Sequence, residues 1–511
     1  MGIIARQGIK QSIVTYLGIA IGAVNILFIY PKMLEGEQYG FIQALISAAK
    51  IFLPFVLLGS MYMIVRFFPD FKDKQNGHNG YLPFILLWGN VGFTLFAAIF
   101  IGFQKEIFSI FKANQDMVAD YGNYLLPILY FLAIATILTK YISNFHRIAI
   151  PSIFNDLFLK IGAPILCILF GFQLLDFGNL LQGYAWLYGI IVIALVYYTY
   201  YLGQLFLKLD FKKFTREKLK SIGTYASYGI LGGLGTSIIP HIDNLMVASL
   251  MDFENTAIYI IPNFITSAID APRRAIVGIA APLIAESWKK NDLKHIQELY
   301  QKTSLNQLIV GVFLLLLAWS SIDHLYTLIP EGPNKTNYEA GKYIVLILGL
   351  SKVFDMVTGV NSEIIGYSKY FRFNFYAIVL LSVFAILANY FLIPIYGIKG
   401  AALATLISYA IFNLIKFVFL LYKLNLQPFT WQTLQVIILG IVIYFIVYYA
   451  PDLSGLIPAI DFKNIIAALL NIAFKSIAIA LLFGGAVLYF RLSEDISSLV
   501  GTFWKKKFGE K

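Results

Sequence analysis

Cysteine is almost missing from this chain of 511 residues: Cys167 stands alone inside an apolar run. An intrachain disulfide and a cysteine metal cluster are therefore excluded, and the residue is read as packing. Charge is scarce too. Asp, Glu, Lys and Arg make up 13% of the chain, where a soluble domain carries about 25%. No glycine-rich phosphate loop, nucleophile elbow or metallohydrolase spacing occurs, and no large polar loop exists to hold a nucleotide sugar. ATP hydrolysis and glycosyl transfer are thus unsupported; the expectation is a protein that is not an enzyme, with no cofactor and no metal. The first apolar run, from Gln11 to Tyr30, lacks a small-residue cleavage site and is long enough to cross a bilayer, so it reads as a helix.

What the chain has is apolar length. Hydrophobic residues are 59% of it and its mean hydropathy is +0.74. The apolar runs reach roughly 20 residues, the length a helix needs to cross about 30 Å of hydrocarbon. They lack the alternation of a barrel wall. Apolar runs and turn signals predict about fourteen transmembrane helices, near 11–30, 41–65, 81–103, 121–142, 151–174, 180–203, 222–248, 255–283, 305–329, 340–366, 373–394, 398–421, 431–450 and 465–490. The fold class is all-α integral membrane.

An even count places both termini on one side, where the loops carry about 25 Lys and Arg against about seven opposite. Lys208–Lys220, Lys289–Lys302 and Lys505–Lys511 supply much of that excess. Both termini are therefore expected in the cytoplasm. The net charge of +11 then faces anionic membrane lipids, and no nucleic acid is expected as partner. Past Arg491, residues Ile496, Leu499, Val500 and Phe503 share a helical face ahead of Lys505, Lys506 and Lys507. That pattern suits a short amphipathic helix on the inner surface, or equally a basic topology anchor.

A weak internal repeat is legible. Tyr30-Pro31 and Glu37-Gln38-Tyr39-Gly40 around the first two helices correspond in order to Pro240, Asp243-Asn244 and Glu254–Tyr259 around the seventh and eighth. The expected organisation is an N-terminal six-helix lobe over 1–210 and a second over 211–425. Together these enclose a central cavity, followed by an appended pair over 426–490 and a basic tail over 491–511.

Two stretches resemble a known family. Asn389-Tyr390-Phe391-Leu392-Ile393-Pro394, followed by Tyr396-Gly397-Ile398-Lys399-Gly400-Ala401-Ala402-Leu403-Ala404, is similar to the hairpin of helices eleven and twelve in polysaccharide-export flippases. The N-terminal stretch from Gln11 through Glu37-Gln38-Tyr39-Gly40 to Phe68-Pro69 looks like the opening of the same proteins. These are the Wzx-type flippases of lipid-linked oligosaccharides, in the superfamily of multidrug, oligosaccharidyl-lipid and polysaccharide exporters. The resemblance implies translocation of a polyprenyl-pyrophosphate-linked O-antigen, capsule or exopolysaccharide unit across a bacterial inner membrane, as in lipopolysaccharide synthesis. It also implies coupling to a proton or sodium ion and polysaccharide polymerase machinery as a partner. Read physically, Pro394 and Gly397 end helix eleven, and Gly400, Ala401, Ala402 and Ala404 give helix twelve a face for close packing.

Ionisable groups at bilayer depth cost roughly 2.5–3.5 kcal/mol on insertion scales and are functional candidates. Helix eight carries Asp270, Arg273 and Arg274, flanked by Pro272 and Gly278. The guanidinium fork matches phosphate oxygens, and one acid cannot neutralise two arginines. Arg273 and Arg274, with Lys50 of helix two opposite them across the cavity, are expected to bind the pyrophosphate. The bland reading is that Asp270 pairs with both along its own helix. In the lipid II flippase branch basic residues on helices one, two and eight line the cavity, and this chain departs by having no charge within helix one.

Asp243 follows Pro240 by three residues and is the candidate for a coupling cation, as is the helix-seven acid of that branch. His241 and the near external end allow a structural role instead. Lys352 with Asp355, and Asp156 with Lys160, have the spacing of neutralised helix pairs; Glu363 is a further cavity or pairing candidate. Lys416 and Lys475 are read as snorkelling or bundle-internal. Competing functions are a multidrug antiporter, which needs an acidic cavity, a non-transporting assembly subunit, and a polymerase or ligase, whose large external loop is not seen.

Overall fold

The computed structural model describes residues 3–333, 336–450 and 464–498. Among them every regular element is helical. Eleven helices are long and apolar enough to cross a membrane, or twelve if one pair bent by 44° counts as a single span. The three expected spans absent from the eleven are 222–248, 255–283 and 340–366. These carry most of the internal charge, and polar residues dilute their apolar runs.

The chain divides into two compact units, Met1–Ile258 with Pro330–Thr336, and Tyr259–Ile329 with Asn337–Lys511. In the first, α1 (Ile3–Val24) leads through a π-helical turn, Asn25–Ile29, to Met33. A capping box of Glu35 and Gln38 then starts α2 (Gly36–Val56). The single helix expected over 41–65 is broken instead. Pro54 leaves the Lys50 carbonyl without its helical donor, Leu58 and Gly59 adopt positive φ, and α3 (Ser60–Phe71) starts anew. Gly59 is required there, because a Cβ would collide with the Ala226 carbonyl oxygen. Next come α4 (Tyr81–Gly102), α5 (Leu125–Ser143), α6 (Leu159–Gly171) and α7 (Phe177–Tyr201). A second π-helical turn, Ile153–Phe158, precedes α6 and packs on α1. The expected helix seven is likewise two pieces, α8 (Arg216–Ile238) and α9 (Ile242–Leu250), parted around Pro240.

Helix α10 (Phe253–Lys289) begins in the first unit and continues in the second with prolines at 262, 272 and 282. The second unit continues with α11 (Leu293–Ser320) and α12 (Lys342–Val357). Gly359, at φ +59°, ends α12 and lets α13 (Asn361–Tyr367) leave at 44°. The pair α14 (Phe371–Tyr396) and α15 (Ile398–Leu424) forms the hairpin. Pro394 lies inside α14, so Gly397 alone ends it, whereas the sequence suggested both. Ala401, Ala402 and Ala404 are fully buried, as a close-packing face requires. Helices α16 (Trp431–Tyr449) and α17 (Asn464–Ile479) pack with α11 in an apolar cluster around Val436, Ile479 and Phe483. Ile496 rests against this cluster; the remainder of the amphipathic tail pattern, Leu499 to Lys507, lies outside the described residues.

Candidate functional site

Three helices and one helix break bring the charges of the second unit together. On α10, Asp270, Arg273 and Arg274 sit at i, i+3 and i+4 and share a face. On α15, Tyr409, Asn413 and Lys416, at i, i+4 and i+7, also share a face; α12 contributes Lys352 and Asp355 in its last turns before the break. Arg273 Nη2 donates to Asp355 Oδ2 at 3.2 Å, and its Nη1 lies 3.8 Å from Asp270 Oδ1. Arg274 Nε lies 3.6 Å from Asp270 Oδ2, while 66% of the Arg274 side chain stays exposed. The expected balance of one acid against two arginines is thereby corrected: Asp355 brings a second carboxylate to Arg273 from another helix. Arg274 keeps one long contact.

The break in α12 supplies the polar scaffold. Asn413 Nδ2 donates to Asp355 Oδ1 at 3.0 Å, and Asn413 Oδ1 accepts from Thr358 Oγ1 and Asn361 Nδ2. Ser304 on α11 donates to the freed Val357 carbonyl at 2.5 Å. Lys416, completely buried, donates to Ser362 Oγ at 2.6 Å and stands 3.7 Å above the Phe412 ring. Lys352 lies over the Tyr409 ring at 5.1 Å, and Asp355 spends its two oxygens on Arg273 and Asn413. The charges of Asp355, Glu363 and Arg273 all act on Lys416. Among the described residues no group hydrogen-bonds the buried Arg273 Nε, Glu363 Oε2 or either amide atom of Gln307. Ser304, Gln307 and Gly311 share a face of α11, and both flanking positions meet α12 near its break.

Lys416 was dismissed by sequence reasoning, and Asn413, Thr358, Asn361 and Ser362 were not singled out. The available signal was the polar stripe Tyr409, Asn413, Lys416 in an otherwise apolar helix.

The first unit gathers a looser group. Lys50, Asp156 and Lys160 act electrostatically on one another, and Lys50 also acts on His241. Asn25, in the first π-helical turn, donates to the Lys160 carbonyl at 2.6 Å. The Lys160 ammonium lies beside Gly18, where a Cβ would come within 3.0 Å. Such π-helical turns recur at functional sites. Asp243 is buried in the first turn of α9, and the adjacent Asn244 donates to Ser47 Oγ at 3.3 Å. Among the described residues no cluster of three or more His, Cys, Asp or Glu gathers as a metal site would.

Solved structures share this architecture. The lipid II flippase MurJ in an inward closed conformation matches with a TM-score of 0.71 at 15% identity, covering 94% of this chain and 99% of that one. An inward-facing multidrug resistance MATE transporter of the MOP superfamily matches with a TM-score of 0.58 at 14% identity, covering 82% and 97%. The fold is the one these structures share. A MOP transporter of Pyrococcus furiosus, described by the reverse polarity of its binding pocket, also matches, with a TM-score of 0.51 at 15% identity and coverage of 82% and 94%. Two uncharacterized membrane proteins of Methanocaldococcus jannaschii are similar in sequence. One is 20% identical, covering 88% of this chain and 90% of its own length; the other is 26% identical, covering 75% and 89%. No family model matches the chain. With eleven or twelve candidate spans among the described residues, and relatives named as membrane proteins, this is a multi-pass membrane protein.

Proposed function

We propose that this chain is a flippase that carries a polyprenyl-pyrophosphate-linked oligosaccharide from the cytoplasmic to the outer leaflet by alternating access. The observation that carries the reading is Arg274: a guanidinium two-thirds exposed, on a long helix of a membrane fold, with one 3.6 Å carboxylate contact. Beside it four bases, Arg273, Arg274, Lys352 and Lys416, outnumber three acids, Asp270, Asp355 and Glu363. A net positive group suits an anionic cargo, and it disfavours the organic-cation antiporter. The likeness in fold to a lipid II flippase supports a lipid-linked cargo.

In this reading Arg273 and Arg274 hold the pyrophosphate, and Lys50 is assigned the same role in the first unit. The lipid tail stays in the bilayer while the headgroup crosses, because bare transfer would strip its charges and hydroxyls of water without replacement. With the inside negative, outward movement of anionic charge is favoured by about 2.3 kcal/mol per charge per 100 mV. Asp243, buried beside the α8–α9 break, is the proposed site of a coupling proton or sodium ion. The fourteen-span topology in two lobes, with both termini in the cytoplasm, belongs to the same proposal, as do O-antigen, capsule or exopolysaccharide units as cargo.

The test is flipping in reconstituted vesicles of a polyprenyl-pyrophosphoryl oligosaccharide, read by lectin access to the outer leaflet. Arg273→Ala with Arg274→Ala should abolish transfer while the protein still inserts and folds. Transfer at the unaltered rate would remove the assignment.

A further inference from the structure

Resting on that reading, we propose that Asp355 is a proton site linked to the anion site through Arg273, so that anion and proton are bound together. Arg273 is shared property. Its Nη2 is held by Asp355, its Nη1 by Asp270, and its buried Nε has no hydrogen-bond acceptor among the described residues. A guanidinium offers five donors in one plane, and a phosphate oxygen that enters at Nε also competes for the neighbouring Nη. An arriving pyrophosphate therefore competes with the carboxylates for this group.

The three acids then fare differently. Asp270 retains Arg274, and Glu363 retains the charge of Lys416. Asp355 gives up its direct ion pair. What faces it afterwards is the Asn413 amide and Tyr409 from α15, Lys352 on its own helix, and Lys416, whose ammonium is turned to Ser362 and the Phe412 ring. From α10 come Asp270 and the withdrawn Arg273, from α13 Glu363; α11 presents uncharged Ser304 to the Val357 carbonyl at the break. A carboxylate buried as deeply as Asp355, 9% exposed in its side chain, is stabilised by a proton when its cation leaves. The proton forms an O–H on Asp355, and no other bond changes.

The charge balance agrees. With every group ionised, the four bases and three acids of this cluster carry one net positive charge. A pyrophosphate esterified at both ends brings two negative charges. Set against this cluster of the second unit alone, one negative charge would remain, and a proton on Asp355 cancels it.

The experiment is binding of a short-chain polyprenyl-pyrophosphoryl N-acetylglucosamine to the purified full chain in detergent, since its two phosphates are both esterified and do not titrate near neutral pH. Affinity and proton uptake are measured together, in weak buffer with a pH indicator. The proposal expects about one proton taken up per ligand near pH 7, and a Kd that rises about tenfold per pH unit above it. On binding the ligand, Asp355→Asn should take up no proton and show a Kd without pH dependence; Asp355→Glu should restore both. Ligand bound by the unaltered chain without proton uptake, at a Kd indifferent to pH, would overturn this inference and leave the flippase reading standing. Failure of the unaltered chain to bind the ligand at any pH would instead overturn the flippase reading, and this inference with it.

Discussion

The charges of the first unit and those of the second are held in different ways. Around Lys50, Asp156 and Lys160 the groups act on one another at a distance, and the Asn25 side chain of a π-helical turn donates to the Lys160 carbonyl. Around Arg273 the groups touch: two carboxylates, an asparagine amide and a lysine are tied into one network at a broken helix. The difference teaches where stability and function are coupled. In the second unit the groups proposed to bind cargo are also the groups that satisfy one another, so a ligand must compete with the fold.

The largest expected effect tests that contrast. Asp355→Ala leaves the half-buried Arg273 with its longer Asp270 contact and should destabilise the second unit by about 3 kcal/mol. Asp156→Ala, at an exposed position of the first unit, should stay within about 1 kcal/mol. Denaturant unfolding in detergent measures both, and equal effects would erase the distinction.

The helix breaks offer the next comparison. Gly59→Ala imposes positive φ on a side chain and drives its Cβ into the Ala226 carbonyl, so a loss of about 2–3 kcal/mol is expected. Gly359→Ala meets the Ser304 backbone nitrogen at 3.0 Å, a milder approach, and should cost about 1–2 kcal/mol. A reversed order would show that the α12 break is the more tightly built of the two.

Of similar size is Asn413→Leu, which strips Asp355, Thr358 and Asn361 of a shared partner and should cost about 1–2 kcal/mol. Arg274→Ala closes the series. Its exposure predicts a stability change within about 0.5 kcal/mol, yet loss of a charge-assisted contact should weaken pyrophosphate binding about 10- to 100-fold. Thermal melts beside ligand titrations separate those two readouts.

Much of the fold was legible because apolar length is a local property. Runs such as 177–201 and 371–396 announce themselves without reference to the rest of the chain. Breaks were partly legible: Pro240 signals the α8–α9 interruption, whereas Pro54 is passed by its helix and the break falls later, at Leu57 to Gly59. The site was less readable. Spacing finds the contacts of Asp270 with Arg273 and Arg274, since they lie within one helix turn. It cannot find Asp355 beside Arg273, because that pairing is made by packing between distant helices. Lys416 shows the same limit, as one lysine in an apolar helix looks alike whether it snorkels or is sealed within a network. Two expected spans, the seventh and eighth, do not pass as apolar helices among the described residues, the tenth passes as a bent pair, and all three carry charges of the candidate sites.

The central claim is that the arginine pair recognises a pyrophosphate on a lipid. It is tested most directly by titrating the purified chain with two ligands of equal tail, a polyprenyl-pyrophosphoryl sugar and the uncharged polyprenol. The account predicts that Arg273→Ala with Arg274→Ala weakens the first at least 100-fold, the scale of two charge-assisted contacts, and leaves the second unchanged. Equal affinity for the pyrophosphoryl ligand before and after the double substitution would contradict it.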